Sequence, residues 1–264
     1  MISISSLLLK PHLFRKSILT NLKSKYFHEL GLSFPLDNGY WVHLMENDSY
    51  NSFSEIFIQK EYEDLLPKSD LLKVIDLGAH YGYFSLWLQS IIGSSEFRSL
   101  LIEPSSLCKR SLEKLILQPM LSGRFTYLAG ALGNPETQKI EFFDRPFMAS
   151  SIYKSSSKVS SQEVKIIAED EIIENLEPPY DLIKCDIEGS EWDFINNYPK
   201  ILQNSRYILM EWHSWHDGEG GLPQIKEKLK DFGFSVFKSS NISKAHGREG
   251  EVGLFVAENL NFSI

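Results

Sequence analysis

Four acidic side chains stand where short apolar runs of the sequence end, and each is a candidate for binding a ligand. They are Asp76, Glu103, Asp186 and Glu211. In an open parallel sheet, ligands bind outside the carboxyl ends of the strands, near the point where the strand order reverses. If the apolar runs are parallel strands, these four carboxylates are the first candidates for a binding site.

A glycine-containing turn with the sequence Asp-Leu-Gly-Ala-His-Tyr-Gly begins at Asp76. Gly78 permits a tight turn, and Gly82 permits a close approach to a ligand. The turn lacks the spacing of a dinucleotide-binding Gly-x-Gly-x-x-Gly and the Gly-Lys-Ser/Thr end of a phosphate-binding loop. An acid here suits a cationic ligand better than a pyrophosphate, and S-adenosylmethionine (SAM) carries an α-ammonium and a sulfonium. A plain tight turn is the alternative interpretation.

Glu103 lies 21 residues after Gly82. At about that distance, an acid that ends the second strand reaches the ribose hydroxyls of a bound adenosine. Alone, Glu103 has the simpler interpretation of a surface acid. Together with the glycine turn it indicates an adenosine site, but it does not separate a nicotinamide cofactor from SAM.

A second acidic segment contains Asp186, Glu188 and Glu191 and ends in Trp192. Glu191 has a structural explanation, because an acid in the first turn of a helix suits the helix macrodipole. That explanation does not extend to Asp186 and Glu188. Carboxylates in a buried turn cost free energy unless they bind something.

A reaction at a substrate hydroxyl needs a group that takes the hydroxyl proton. Glu188, Glu211 and His213 are the candidates, and His216 is a less favoured loop residue. On an extended chain Glu211 and His213 share one face with Trp215 and can point into one pocket. A histidine with a purely structural role is the alternative interpretation of His213.

Asp186, Glu211 and His213 can also bind a divalent metal ion together. Their spacing in the sequence is not a diagnostic ligand motif, so no metal site is predicted.

Strand-like and helix-like segments alternate from Lys73 onward. Apolar runs predict strands at residues 73–77, 100–103, 125–129, 182–186 and 207–211, with an antiparallel pair at residues 235–237 and 253–256. Helical spacing predicts helices at residues 83–92, after Pro104, and around Leu222–Phe232. This alternation predicts an α/β fold with a mostly parallel sheet covered by helices on both faces.

Residues 1–72 are predicted to be an N-terminal extension packed on a core domain of residues 73–264. Within it we expect a strand at Trp41–Leu44 and an amphipathic helix that carries Phe53, Ile56, Phe57 and Leu65. A serine-rich segment at residues 150–161 and a glycine-rich segment at residues 217–221 are predicted to be loops. A place beside the substrate, as a lid in the case of residues 217–221, is the alternative interpretation.

The composition excludes several classes of function. The net charge of −8 argues against nucleic-acid binding, although residues 10–25 carry a local excess of lysine and arginine. No apolar stretch is long enough to cross a membrane, and the N-terminus does not have the pattern of a secretory signal. Two isolated cysteines do not form a disulfide framework, so a cytoplasmic location is expected.

Four segments, in this order along the chain, resemble the FkbM family of class I methyltransferases. They are residues 74–85, residues 102–104, residues 130–133 and residues 182–192, and the resemblance extends over residues 41–256. The acid-Gly-acid block at residues 186–192 is its most distinctive part. His80 is a departure, since the family often has asparagine there.

The resemblance implies a Rossmann-like sheet of seven strands, SAM as the methyl donor, and O-methylation of a sugar, a glycan or a natural product. By position, Asp76, Gly78, Ala79 and Gly82 would line the methionine part of the cofactor. Glu103 would hold the ribose, Gly130 and Ala131 would lie against the adenine, and Asp186 would lie beside the methionine amine and the transferring methyl. The expected acceptor is a sugar or small molecule with a hydroxyl group.

Two other functions stay open. A nicotinamide-dependent oxidoreductase would need a third glycine in the first turn and a residue for hydride transfer, and neither is evident. A methyltransferase-like binding module without catalysis is the second alternative, against which the four intact acids Asp76, Glu103, Asp186 and Glu188 argue.

Overall fold

A computed structural model describes residues 31–46, 49–144, 160–214, 220–244 and 250–262, together with Ile18, Leu22 and Lys25. Most of the serine-rich segment, residues 215–219 with Trp215 and His216, and most of the basic run lie outside the described residues.

The described part of the chain contains strands β1 (Leu32–Pro35), β2 (Trp41–Leu44), β3 (Lys73–Leu77), β4 (Arg98–Ile102), β5 (Phe125–Leu128), β6 (Lys139–Asp144), β7 (Ser160–Lys165), β8 (Tyr180–Cys185), β9 (Ser205–His213), β10 (Phe234–Ser239), β11 (Ser243–Lys244) and β12 (Glu251–Asn259). Its helices are α1 (Ser49–Phe53), α2 (Tyr83–Ile92), α3 (Ser106–Ile116), α4 (Glu169–Asn175), α5 (Glu191–Asn197), α6 (Pro199–Gln203) and α7 (Leu222–Asp231), with a 3-10 turn at Asp37–Gly39 and a π-helix at Ser54–Gln59.

The central sheet has the strand order β10-β12-β9-β8-β3-β4-β5, and the short β11 pairs with β12. The five strands from β9 to β5 are parallel, while β12 and β10 run antiparallel at one edge. From β3 the chain adds β4 and then β5 toward one edge of the sheet. It then returns to β8, which pairs with the other side of β3. The strand order therefore reverses between β3 and β8, which is where an open α/β sheet binds its ligand.

The two faces of the sheet bury different sets of side chains. Along β3, Val74 packs into the core on the α2 side, whereas Ile75 and Leu77 pack into the core on the α5 and α7 side. This alternation follows from the two-residue period of a strand. The predicted α/β class, with a mostly parallel seven-stranded sheet and helices on both faces, is confirmed.

Residues between β1 and β3 pack against helix α2. Phe34, Phe53 and Leu71 are buried in the same apolar core as α2. The Tyr83 hydroxyl donates a hydrogen bond to the carbonyl of His43 at 2.6 Å. The division of the chain into an extension of residues 1–72 and a core domain of residues 73–264 stays a prediction.

Two expectations about local structure were wrong. The amphipathic helix expected to reach Leu65 stops earlier, because the π-helix ends where Lys60 takes a left-handed conformation with φ of 59°. Ser160 and Ser161, expected in a loop, belong to β7, which pairs antiparallel with β6 outside the central sheet.

Candidate active site

The turn after β3 is packed directly against the turn after β8. Gly78 has a φ of +69°, and a Cβ atom placed on it would lie 1.7 Å from the carbonyl oxygen of Asp186. The backbone N–H of Asp186 in turn donates to the carbonyl of Leu77 at 3.1 Å. Only glycine fits at position 78, because both the conformation and the contact exclude a side chain.

Glu103 follows β4 and is almost completely buried. One carboxylate oxygen accepts the backbone N–H of His80 at 2.8 Å, and the other accepts the backbone N–H of Ser105 at 2.8 Å. Glu103 thus ties the turn after β3 to the start of α3, where Ser105 caps the helix through the N–H of Leu107.

A cavity opens at the carboxyl ends of β3, β4 and β8, with about 660 Å³ of space including its mouth. Its lining includes seven residues that follow β3, β4, β5 and β8: Gly78, His80, Glu103, Gly130, Ala131, Asp186 and Glu188. His80 and Glu188 have positive φ angles of 51° and 52°, a conformation that non-glycine residues adopt rarely and often at functional sites.

Three residues expected beside the cofactor do not line this cavity. Asp76 is fully buried behind it, and its carboxylate accepts a hydrogen bond from the Ser85 hydroxyl at 2.7 Å. Ala79 is buried within the turn. Gly82 faces the core, where an added Cβ would lie 2.4 Å from Leu115. A glycine at this position therefore allows helix α2 to pack closely against the core.

Lys184 is a buried cation on β8 that the sequence analysis did not single out. Its ammonium donates to the carbonyl of Gly78 at 2.8 Å and to the carboxylate of Asp186 at 3.2 Å, and it lies 3.7 Å from Asp76. Burial lowers the pKa of Lys184, but the carboxylates of Asp186 and Asp76 outweigh it and raise that pKa. The lysine therefore stays charged and joins the turns after β3 and β8. Burial also raises the pKa of Asp76.

His213 ends β9 and is surrounded by carboxylates. Its Nδ1 lies 3.0 Å from Glu191 Oε1, and its Nε2 lies 3.8 Å from Glu211, 3.9 Å from Asp186 and 3.9 Å from Glu188. The imidazole is buried, whereas the side chains of Asp186, Glu188 and Glu211 are 17 to 24% exposed. The structure thus brings together the three predicted catalytic residues and one predicted cofactor residue, Asp186.

The electrostatics of this cluster follow from its excess of carboxylates. Burial lowers the pKa of His213, but Glu191 and Glu188 outweigh it and raise the pKa to about 10. Burial and the nearby Asp186 raise the pKa of Glu211 to about 8. Burial and the carboxylates of Glu61 and Asp186 also raise the pKa of Glu55, in the π-helix, to about 8.

The sequence carries a signal for one of the two missed residues, Lys184, and none for the role of Glu191. Lys184 interrupts the apolar run of β8, and a charged residue inside a buried strand is expected to be paired. Glu191 was explained by the helix macrodipole alone, and its contact with His213, 22 residues away, leaves no local pattern.

The strand order, the reversal between β3 and β8, the cavity at that point and the acid after β4 together define a class I methyltransferase fold. The chain belongs to the FkbM methyltransferase family, because the family model described as the methyltransferase FkbM domain matches residues 76–236, more than half of the chain. This family uses SAM as methyl donor, and SAM is the cofactor of this enzyme class.

Three solved structures illustrate the fold. The FkbM methyltransferase of Methylobacillus flagellatus KT shares 17% identity over 79% of this chain and 50% of its own, with a TM-score of 0.49. Magnesium protoporphyrin IX methyltransferase (ChlM) of Synechocystis PCC 6803, with bound SAM, shares 10% identity over 81% of both chains at a TM-score of 0.47. TrmK of M. capricolum, with S-adenosylhomocysteine, shares 10% identity over 79% of this chain and 70% of its own at a TM-score of 0.46.

The chain therefore spans half the length of the M. flagellatus protein. A comparison with curated protein sequences gives no match. Among the residues that the structure describes, no helix has both the length and the hydropathy of a membrane span.

Proposed function

We propose that this protein is a SAM-dependent O-methyltransferase that methylates a hydroxyl of a sugar, a glycan or a natural product. One observation carries the proposal: Asp186 lines the cavity after β3 and also faces His213 Nε2 at 3.9 Å. The cavity that suits the cofactor therefore opens directly onto a group of side chains that accept protons.

The lining of the cavity supports the proposed cofactor roles. In this proposal Glu103, fixed by two backbone N–H groups, holds the ribose hydroxyls. Gly130 and Ala131 form the wall against which the adenine packs, and Asp186 lies at the methionine end. Asp76 acts from behind the cavity, through Lys184 and Ser85, rather than by contact with the cofactor.

Bound SAM supplies an electrophilic methyl group on a sulfonium. The protein's own task is to align the acceptor oxygen with that group, to exclude water and to receive one proton. An oxygen–carbon bond forms while the carbon–sulfur bond breaks. Because a pKa of about 10 leaves His213 protonated near neutral pH, the hydroxyl proton passes to the carboxylates of Glu188 and Glu211 beside it. Glu188 and Glu211 are the more exposed members and reach the acceptor first.

The acceptor class rests on family membership together with the surface charge. A net charge of −8 does not favour a nucleic-acid acceptor. Cys108 and Cys185 are buried free thiols, which supports the proposal of a reducing cytoplasmic location.

Calorimetry with the full chain tests the cofactor. We expect heat of binding with SAM and none with NAD⁺. Binding of NAD⁺ alone would favour the oxidoreductase alternative.

Transfer is tested with SAM labelled in the methyl group and a panel of free sugars, oligosaccharides and glycosylated small molecules. We expect label in an alkali-stable ether of one acceptor class and release of S-adenosylhomocysteine in equal amount. Tight SAM binding without transfer to any hydroxyl in the panel would favour the binding module without catalysis.

A further inference from the structure

Phe142 lines the cavity but comes from neither the central sheet nor the segments directly after its strands. It lies on β6, which pairs with β7 in a separate two-stranded sheet. Its side chain is buried. Among the described residues that line the cavity, no other is a phenylalanine, tyrosine or tryptophan. The β6–β7 pair thus brings a phenyl ring to a cavity that the turns of the central sheet otherwise build.

The residues of β6 and β7 alternate between two faces, as the two-residue period of a strand requires. Phe142 is paired with Gln162, and Ile140 is paired with Val164, so these four residues share one face. Phe142 and Val164 pack with Ala131 in one apolar cluster, and Ile140 packs against that cluster. This face of the pair is therefore turned toward Ala131, which is itself part of the cavity wall.

The β6–β7 pair is fixed to two parts of the cavity wall. The carbonyl of Ala131 accepts the N–H of Ile167, just after β7, at 3.0 Å. The side-chain amide of Gln162 donates to the carbonyl of Pro104 at 3.2 Å. Ala131 and Pro104 both line the cavity. Phe142, directly opposite Gln162 in the pair, is therefore held against the cavity from both attachments.

The strand order gives the cavity a direction. Strands β8, β3, β4 and β5 lie side by side, so the segments after them succeed one another along the cavity. Asp186 and Glu188 stand at the β8 end, and Glu103 follows β4. Ala131 and Phe142 form an apolar surface at the β5 end. This gradient fits SAM, whose methionine part is charged and whose adenine presents two flat aromatic faces.

We propose that Phe142 stacks on the adenine of bound SAM, and that the β6–β7 pair thereby completes the adenine site. Every nucleobase presents a π face, and stacking on an aromatic side chain is a recurrent way of holding one. Phe142 therefore favours ligands that carry a planar base. This inference rests on the proposed function for the placement of the adenine against Gly130 and Ala131, but not for the acceptor.

The test compares two ligands of the full chain by NMR titration. S-adenosylhomocysteine carries the adenine, and S-ribosylhomocysteine has the same ribose and amino acid without the base. Phe142→Ala should weaken S-adenosylhomocysteine binding by about tenfold or more, and Phe142→Leu, which keeps apolar volume without the ring, by about threefold. S-ribosylhomocysteine affinity should change by less than about twofold. Equal losses for the two ligands would overturn the inference, since Phe142 would then act through the fold.

Val164→Ala is the matched control, because Val164 packs in the same apolar cluster as Phe142 but is not one of the residues that line the cavity. Urea unfolding should show that both alanine variants are less stable than the wild type. S-adenosylhomocysteine affinity in Val164→Ala should stay within about threefold of the wild type. A loss of affinity equal to that of Phe142→Ala would overturn the inference, since damage to the β6–β7 pair alone would then explain both.

A spectroscopic signature serves if the Phe142 variants fail to fold. In a wild-type chain deuterated except at its phenylalanine rings, the adenine protons of bound S-adenosylhomocysteine should show nuclear Overhauser effects to a phenylalanine ring. Binding without these effects would overturn the stacking inference alone. Binding with these effects, but with no methyl transfer to any hydroxyl acceptor, would support the stacking inference and overturn only the proposed function. Absence of S-adenosylhomocysteine binding would overturn both.

Discussion

Glu191 Oε1 and His213 Nδ1 lie 3.0 Å apart, and both side chains are buried. The contact joins the first residue of α5 to the last residue of β9. Because Glu191 also accepts the N–H of Gly189, it fixes the turn after β8 relative to the imidazole. The acid at the start of α5 is therefore a positioning residue as well as a favourable charge in the helix macrodipole.

Replacement of His213 should separate turnover from cofactor binding. We expect His213→Gln to reduce methyl transfer by about a hundredfold or more, the usual scale for a group that assists proton transfer. The amide still offers a donor to Glu191. SAM affinity should change by less than about threefold, as measured by calorimetry.

His43→Gln is the matched control for that variant. His43 contacts the Ser33 hydroxyl in the β1–β2 hairpin and is not one of the residues that line the cavity. Turnover should be kept in His43→Gln. Full turnover in His213→Gln would show that the imidazole takes no part in proton transfer and would leave that step to Glu188 and Glu211 alone.

Replacement of Glu103 should weaken cofactor binding more than it weakens the fold. In Glu103→Gln the amide oxygen accepts only one of the N–H groups of His80 and Ser105, so the free energy of unfolding should fall by about 1 to 3 kcal/mol. SAM affinity should fall by about ten- to a hundredfold, because charge-assisted hydrogen bonds to the ribose are lost.

Calorimetry and urea unfolding measure the two effects of Glu103→Gln. Glu113→Gln, on the exposed face of α3, is the control and should change neither. Unchanged SAM affinity in Glu103→Gln would refute the ribose assignment.

A methyl group at position 78 should be far more damaging than one at position 123. Gly78 and Gly123 have φ angles of +69° and +71°, so alanine is strained equally at both. An alanine Cβ at position 123 has no heavy atom within 4 Å, whereas at position 78 it meets Asp186 O at 1.7 Å.

Urea unfolding should therefore show a loss of about 1 kcal/mol for Gly123→Ala and about 3 kcal/mol or more for Gly78→Ala. Equal losses would show that the turns after β3 and β8 are not in contact.

Removal of the buried cation should destabilise the protein. Lys184→Met leaves Asp76 and Asp186 without their shared partner, and breaking a buried pair in this way costs about 3 to 5 kcal/mol. The double variant with Asp76→Asn should recover part of that loss.

The control is Lys139→Met, whose pair with Glu163 is more than half exposed and should contribute less than about 1 kcal/mol. Thermal and urea unfolding provide the comparison. A Lys184→Met variant as stable as the control would mean that Asp76 is neutral in the folded state.

The strands and the cofactor turn were predictable because their signals are local. The positions of β3, β4, β8 and β9 were predicted from apolar runs that end in an acid. The predicted bounds of β3 agree with the structure. The pair of β6 and β7 was missed, since it lies outside the central sheet and buries a small apolar cluster of its own that includes Phe142 and Val164. The pair lies beside Ala131 because Ala131 forms an isolated parallel β-bridge with Ile166, the residue that follows β7. Such a long-range contact leaves no local pattern in the sequence.

The chemistry of the site was less predictable than its location. Candidate residues could be chosen by type, and Glu188, Glu211 and His213 do lie together. The arrangement of these side chains depends on the contact between Glu191 and His213 and on the burial of Lys184. Both arise only when β8 and β9 pair. Sequence spacing does not encode such distances.

The packing of Gly78 against the backbone of Asp186 has a kinetic consequence. The turn that lines the cofactor cavity and the turn that carries Asp186 and Glu188 pack backbone against backbone, so we expect a displacement of one to displace the other. Occupation of the cavity therefore fixes the half of the site that meets the acceptor. We expect an ordered kinetic mechanism in which SAM binds first and S-adenosylhomocysteine leaves last. S-adenosylhomocysteine should then inhibit competitively against SAM and noncompetitively against the acceptor.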